Sequence, residues 1–92
     1  LIGRYVSKIE WNPFMSSKKE KVIFASDVNP RDGIGVELYE GDKLLVEIFR
    51  DDTERTRTVT IFQENVPLER MERAIELFKK EIPWDFIEYD KE

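Results

Sequence analysis

Three short runs between residues 34 and 62 alternate aliphatic side chains with other types, and this pattern constrains the fold most. The aliphatic members are Ile34, Val36 and Leu38 in the first run, Leu44, Val46 and Ile48 in the second, and Val59 and Ile61 in the third. Because successive side chains of a strand leave opposite faces, this alternation predicts three half-buried strands with one aliphatic face. The other face is predicted to be acidic and aromatic, and it is the candidate functional surface.

Two further strands and one helix are predicted outside these runs. Residues 5–11 alternate, and residues 22–26 are apolar throughout, which is typical of a central strand buried on both faces. Residues 16–21 form a basic loop, and Gly41 predicts a tight hairpin between residues 34–40 and 43–50. Residues 67–82 predict an amphipathic helix, with Pro67 in its first turn. Its apolar stripe comprises Leu68, Met71, Ile75, Phe78 and Ile82, widened by Ala74 and Leu77.

This order of elements predicts an α+β fold, an antiparallel sheet of four or five strands with one C-terminal helix packed on one face. The chain has 92 residues, which is enough for one modest core, so we expect a single domain over residues 1–92. An aromatic tail with Trp84, Phe86, Ile87 and Tyr89 is expected to lie against the body. No run approaches the roughly 18 apolar residues of a membrane span, and the start has no signal-peptide pattern, so no membrane partner is expected.

Histidine and cysteine are both absent from the sequence. Their absence removes the usual general base, the Ser-His and Cys-His nucleophile pairs, and the standard zinc ligand sets. Gly33 and Gly35 have no helix behind them that could hold a phosphate. The carboxylates Asp51 and Asp52 sit in a loop flanked by arginines, a pattern typical of a solvated turn. We therefore expect no enzymatic activity, no metal site and no cofactor.

The formal net charge is −5. An acidic surface repels phosphate backbones and attracts basic partners, so this charge favours a basic protein as partner. Aromatic side chains of the predicted acidic face offer rigid contact area, and acidic side chains there and in the following loop offer charge. The predicted partner-binding residues are Glu37, Tyr39, Glu47, Phe49, Asp51, Asp52 and Glu54. Leu45 and Phe62 are predicted to lie on the same face. The alternative is that Tyr39, Phe49 and Phe62 pack as a second small core.

Two other functions stay open. Strands carrying aromatic residues can form a stacking platform for single-stranded nucleic acid, although glutamates stand where phosphates need lysine or arginine. A structural homodimer that pairs edge strands or faces is the other alternative. A charge reversal at Glu47 is expected to weaken binding to a basic protein and not to DNA.

Four segments of the chain resemble small bacterial immunity proteins of contact-dependent growth inhibition and related polymorphic toxin systems. The segments are GIGVELY at residues 33–39, LLVEIFRDD at 44–52, VPLE at 66–69 and FKKEIPW at 78–84. The resemblance implies a cytoplasmic protein that binds and neutralises the toxin domain of its own strain. Many such toxins are basic nucleases, which an acidic inhibitor blocks sterically and electrostatically.

The order of three strands and a helix is also similar to the whirly-type single-stranded DNA-binding fold. The sequence departs from that group at Glu37 and Glu47, on the face that would need positive charge. That departure favours a related topology without DNA binding.

Overall fold

A computed structural model describes residues 3–12, 19–28 and 31–88, which form five antiparallel strands followed by one helix. The strands, in their order across the sheet, are β1 (Arg4–Asn12), β2 (Glu20–Asp27), β3 (Gly33–Glu40), β4 (Lys43–Asp51) and β5 (Thr56–Ile61), and the helix is α1 (Leu68–Glu81). The predicted fold class is confirmed. Residues 16–18 of the predicted basic loop and Tyr89 of the predicted tail lie outside the described residues.

Each strand pairs with the next along the chain, so β1 and β5 form the two edges of the sheet. The predicted hairpin between β3 and β4 is confirmed, since Glu40 pairs with Lys43 and Gly41 takes a φ of 61° in the turn between them. A positive φ costs glycine little, which explains the glycine at this position.

The core lies between the sheet and α1, which packs over β3 and β4. Val36 and Leu38 of β3, Val46 and Ile48 of β4, and the helix side chains of Leu77 and Phe78 form its centre. Leu45 was predicted to lie on the acidic and aromatic face. That prediction is wrong, because Leu45 belongs to this core and is 3% exposed. A register shift after Leu38 pairs Tyr39 with Leu44, and Leu45 becomes the extra residue of a bulge. A bulge reverses the alternation locally, so Leu45 and Leu44 exchange faces.

The bounds of the helix agree with the predicted range 67–82 to within one residue. The side of the helix that faces the sheet differs from the predicted stripe. Its buried residues are Arg70, Ala74, Leu77 and Phe78, whereas Leu68 is 68% exposed and Ile75 is also exposed. This orientation brings Arg70 and Arg73 to Glu20 of β2, at nitrogen–oxygen distances of 3.4 and 3.2 Å. The sheet-facing side of the helix therefore includes an ionic cluster, and Leu68 and Ile75 lie outside the predicted contact.

The segment after α1 runs back along the end of the sheet, as expected for the tail. Arg50 donates a hydrogen bond to the carbonyl of Pro83 at 2.7 Å, and Asp52 accepts one from the backbone N–H of Ile87 at 3.1 Å. The guanidinium of Arg57 lies 3.9 Å from the ring centre of Trp84. In the described part of the chain, no helix is long and apolar enough to cross a membrane.

Candidate partner-binding surfaces

The face of the sheet opposite α1, called the open face below, carries two glutamates directly across from each other. Glu37 of β3 pairs with Glu47 of β4, and their exposed fractions are only 5% and 7%. Like charges at such positions repel, so the arrangement needs cations nearby. Arg4 donates two hydrogen bonds to Glu37, at 2.7 and 2.9 Å, and Arg31 donates two to Glu47, both at 2.9 Å. Each glutamate is therefore neutralised within the chain by a bidentate arginine.

Two aromatic side chains of the open face, Tyr39 and Phe49, belong to the same network. Phe49 lies across from Gly35, where a Cβ atom would stand 2.7 Å from the phenylalanine ring, so only glycine leaves room for it. The guanidinium of Arg31 covers that ring at 3.8 Å from its centre, and Phe49 is buried beneath it. Tyr39 donates a hydrogen bond from its hydroxyl to Glu37 at 2.9 Å. Phe49 therefore packs under Arg31 and is not presented to a partner.

The network changes the proton affinities of its members. Burial raises the pKa of Glu37, but hydrogen bonds from Arg4 and Tyr39 outweigh it and hold that pKa below its ordinary value. Burial, followed by the hydrogen bond to the Glu37 carboxylate, raises the pKa of Tyr39 to about 12. The hydrogen bond to Glu47 raises the pKa of Arg31. The pKa shifts of Glu37 and Arg31 favour the charged forms, so the ion pairs stay formed at neutral pH.

The three acidic residues predicted in the loop after β4 have three different environments. Asp51 accepts hydrogen bonds at 3.0 Å from the backbone N–H groups of Thr53 and Glu54, which fixes the turn. Asp52 is buried and accepts from Arg50 at 2.9 and 3.1 Å. Glu54 is exposed. The seven predicted residues do not form one acidic surface, and Glu54 is the glutamate among them whose side chain faces solvent.

A different acidic surface lies on the side of α1 that faces away from the sheet. Glu69, Glu72 and Glu76 are all exposed, and their spacing of three and four residues places them on one side of the helix. Within the described residues, Glu69 and Glu72 have no ion pair, and Glu76 has a loose one with Arg73 at 3.9 Å. We call these three residues the outer acidic surface. The spacing that predicted the apolar stripe also contained this signal, on the opposite side of the helix.

A shallow apolar groove runs between α1 and β5, which sequence reasoning did not anticipate. Val59 and Ile61 of β5 are 46% and 54% exposed, because α1 lies over β3 and β4 and leaves β5 uncovered. Of these two residues Val59 lines the groove, together with Ile48, Ile75, Phe78 and Trp84, and Arg57 and Lys79 add cations to the lining.

The described residues contain no group of three or more carboxylates that could hold a metal ion. Comparisons with protein-family models, curated protein sequences and solved structures give no significant match.

Proposed function

We propose that this chain is an immunity protein that binds a cognate bacterial toxin domain in the cytoplasm and neutralises it by blocking its surface. The observation that carries the proposal is the outer acidic surface, where Glu69, Glu72 and Glu76 are exposed and are not covered by bidentate arginines. A toxin that fits this surface is basic, as a nuclease is. The inhibitor contributes no chemistry of its own.

The outer acidic surface offers both the charge and the apolar contact area that a protein interface needs. Its exposed carboxylates attract a basic partner and fix its orientation. Leu68, at the start of the same helix, is largely exposed and supplies apolar contact area beside the charges. Steric exclusion of the toxin's own substrate follows from occupation of the basic surface.

The open face supports this function less well than the sequence suggested. Glu37 and Glu47 cannot meet a basic partner without losing Arg4 and Arg31, whose hydrogen bonds they already accept. Breaking such pairs to form new ones brings little net gain in binding free energy. We therefore assign Glu37, Glu47 and Asp52 to the stability of the fold, and we keep Glu54 as an accessible contact residue.

A second candidate function has one specific observation in its favour. Trp11 of β1 is about half exposed, and the ammonium groups of Lys19 and Lys21 lie 5.9 and 5.3 Å from its ring centre. Lys21 also lies 4.4 Å from the ring centre of Tyr39. Aromatic rings with adjacent lysines are the elements of a single-stranded nucleic-acid platform. Lys21, however, is already paired with Asp42 at 3.6 Å.

The test is isothermal titration of the purified chain against the protein encoded by the adjacent reading frame, together with co-expression of the two. The proposal expects one-to-one binding that weakens with added salt, and loss of the partner's toxicity on co-expression. Absence of binding to that protein, with binding of a single-stranded DNA oligonucleotide at moderate salt, would replace the proposal with the second candidate.

A further inference from the structure

The outer edge of β5 is an unpaired sheet edge in the described structure. Phe62 donates its backbone N–H to the carbonyl of Leu45 at 2.9 Å. In an antiparallel ladder, residues that bond to the neighbouring strand alternate with residues whose backbone groups point outward. The backbone N–H and C=O groups of Arg57, Val59 and Ile61 therefore point away from β4, toward open solvent.

The two edges of the sheet differ in their protection against pairing. The edge strand β1 carries Arg4, Lys8 and Glu10 and has a register shift between Val6 and Lys8. Charged side chains and an irregular register both disfavour pairing with a further strand. The edge strand β5 has the sequence TRTVTI, with one charged residue and a regular ladder to β4. Its β-branched residues suit a paired strand, so β5 is the edge that is open to association.

Charge along β5 selects the orientation of the second copy. Arg57, near the start of the strand, is the one charged residue of β5, and Lys79 of α1 lies close to it. An antiparallel second copy keeps the two Arg57 side chains at opposite ends of the paired strands, whereas a parallel copy would place them side by side. The same strand also brings its own Val59 and Ile61 to the partner's uncovered groove.

From these observations we propose that two copies of this chain associate through antiparallel pairing of their β5 strands. The two-fold axis passes between the two Val59 residues, and Arg57 of each copy lies opposite Ile61 of the other. The pairing satisfies the outward backbone groups and joins the two sheets into one. The two grooves then face each other across the axis and bury Val59, Ile61 and Ile75. The outer acidic surface remains exposed in this dimer, so the dimer and toxin binding are compatible.

The test is sedimentation equilibrium of the full chain over a wide range of concentration, with two lysine variants. Val59→Lys places two ammonium groups against each other on the axis, whereas Thr60→Lys adds the same charge on the opposite face of the same strand. We expect the natural chain to dimerise, Thr60→Lys to dimerise like it, and Val59→Lys to raise the dimer dissociation constant about tenfold or more. A single-chain mass at every concentration, or equal behaviour of the two variants, would overturn the dimer.

A second readout covers the case in which circular dichroism shows that Val59→Lys has not folded. Hydrogen exchange of the natural chain then decides the matter through the backbone N–H groups of Val59 and Ile61. The dimer predicts that their exchange slows as protein concentration rises. Exchange that is fast and independent of concentration at both amides would contradict the proposed pairing.

Discussion

Glu37 and Glu47 lie on the open face of the sheet, whereas Glu69, Glu72 and Glu76 lie on the outer side of α1. The first two are buried under Arg4 and Arg31, which donate two hydrogen bonds to each. The other three are exposed. The same residue type therefore stabilises the fold in one region and is available to a partner in the other. What decides the difference is the arginine that folds over the carboxylate.

The largest expected effect on stability comes from Glu20, the most buried glutamate. Its side chain is fully buried and accepts hydrogen bonds from Arg70 and Arg73. Glu20→Ala leaves the buried Arg70 with a weakened set of partners, so we expect the free energy of unfolding to fall by about 3–5 kcal/mol. Urea denaturation measures it, with Glu76→Ala as the matched control. A loss no larger than that of the control would show that the buried cluster does not stabilise the fold.

The next effect concerns the open face. Glu47→Gln keeps the shape of the side chain but removes the charge that Arg31 contacts. Hydrogen bonds to charged groups contribute about 1.5–3 kcal/mol, and relief of the repulsion from Glu37 offsets part of this. We expect a loss of about 1–2 kcal/mol in urea denaturation. The expected weakening of toxin binding by Glu47→Lys is for this reason a poor test, since that change would also disturb the fold.

The pH dependence of stability follows from the same network. The pKa of Glu37 in the folded chain lies below its ordinary value of 4.5, so protonation favours the unfolded chain. Its contribution is complete above pH 4.5 and is lost as the pH falls through the folded-state pKa. The midpoint of urea denaturation should therefore fall in acid, and Glu37→Gln should lose this part of the dependence. An identical acid profile for both proteins would contradict the assignment.

At alkaline pH the relevant group is Tyr39, with a pKa raised from 10.0 to about 12. Its contribution to stability is complete below pH 10.0 and is lost as the pH rises through about 12. Because the hydrogen bond to the Glu37 carboxylate is one cause of the shift, Glu37→Gln should bring the Tyr39 pKa closer to 10.0. Tyrosinate absorbance measured during an alkaline titration checks this. An unchanged titration curve would show that burial alone sets the pKa.

The smallest effect on stability is expected on the outer acidic surface. Glu69, Glu72 and Glu76 are exposed, so a change to Gln at any of them should alter the free energy of unfolding by less than about 0.5 kcal/mol. Urea denaturation of the three single variants measures this. A large loss at one of them would mean that its carboxylate has a structural role that the exposed geometry does not indicate.

The sequence predicted the fold more completely than the surfaces. Period-two alternation, the apolar run at residues 22–26 and Gly41 are local signals, and they identified the strands and the hairpin. The exchange of Leu44 and Leu45 depends on the register between β3 and β4, which no local pattern contains. The neutralisation of Glu37 was equally hidden, because Arg4 lies 33 residues away in the chain.

The helix shows a second kind of limit. Apolar spacing predicted a stripe that included Leu68 and Ile75, which are exposed, and the helix turns Arg70 inward to reach Glu20. A buried ion pair can outweigh an apolar contact only when both partners are placed by the tertiary structure, and sequence spacing does not reveal that placement. The outer acidic surface was not predicted, although the spacing of its three glutamates is a local signal that could have indicated it.

The most direct test of the outer acidic surface as the binding site uses two variants in which glutamine replaces glutamate. The affinity of the cognate toxin for each variant is measured by isothermal titration. One variant carries Glu69→Gln, Glu72→Gln and Glu76→Gln, and the other carries Glu37→Gln. We expect the first variant to fold normally but to bind the toxin about tenfold or more weakly, with a smaller salt dependence. We expect the second variant, where it remains folded, to keep the affinity of the natural chain. Full affinity in the first variant, with loss in the folded second variant, would contradict the account and return the binding site to the open face.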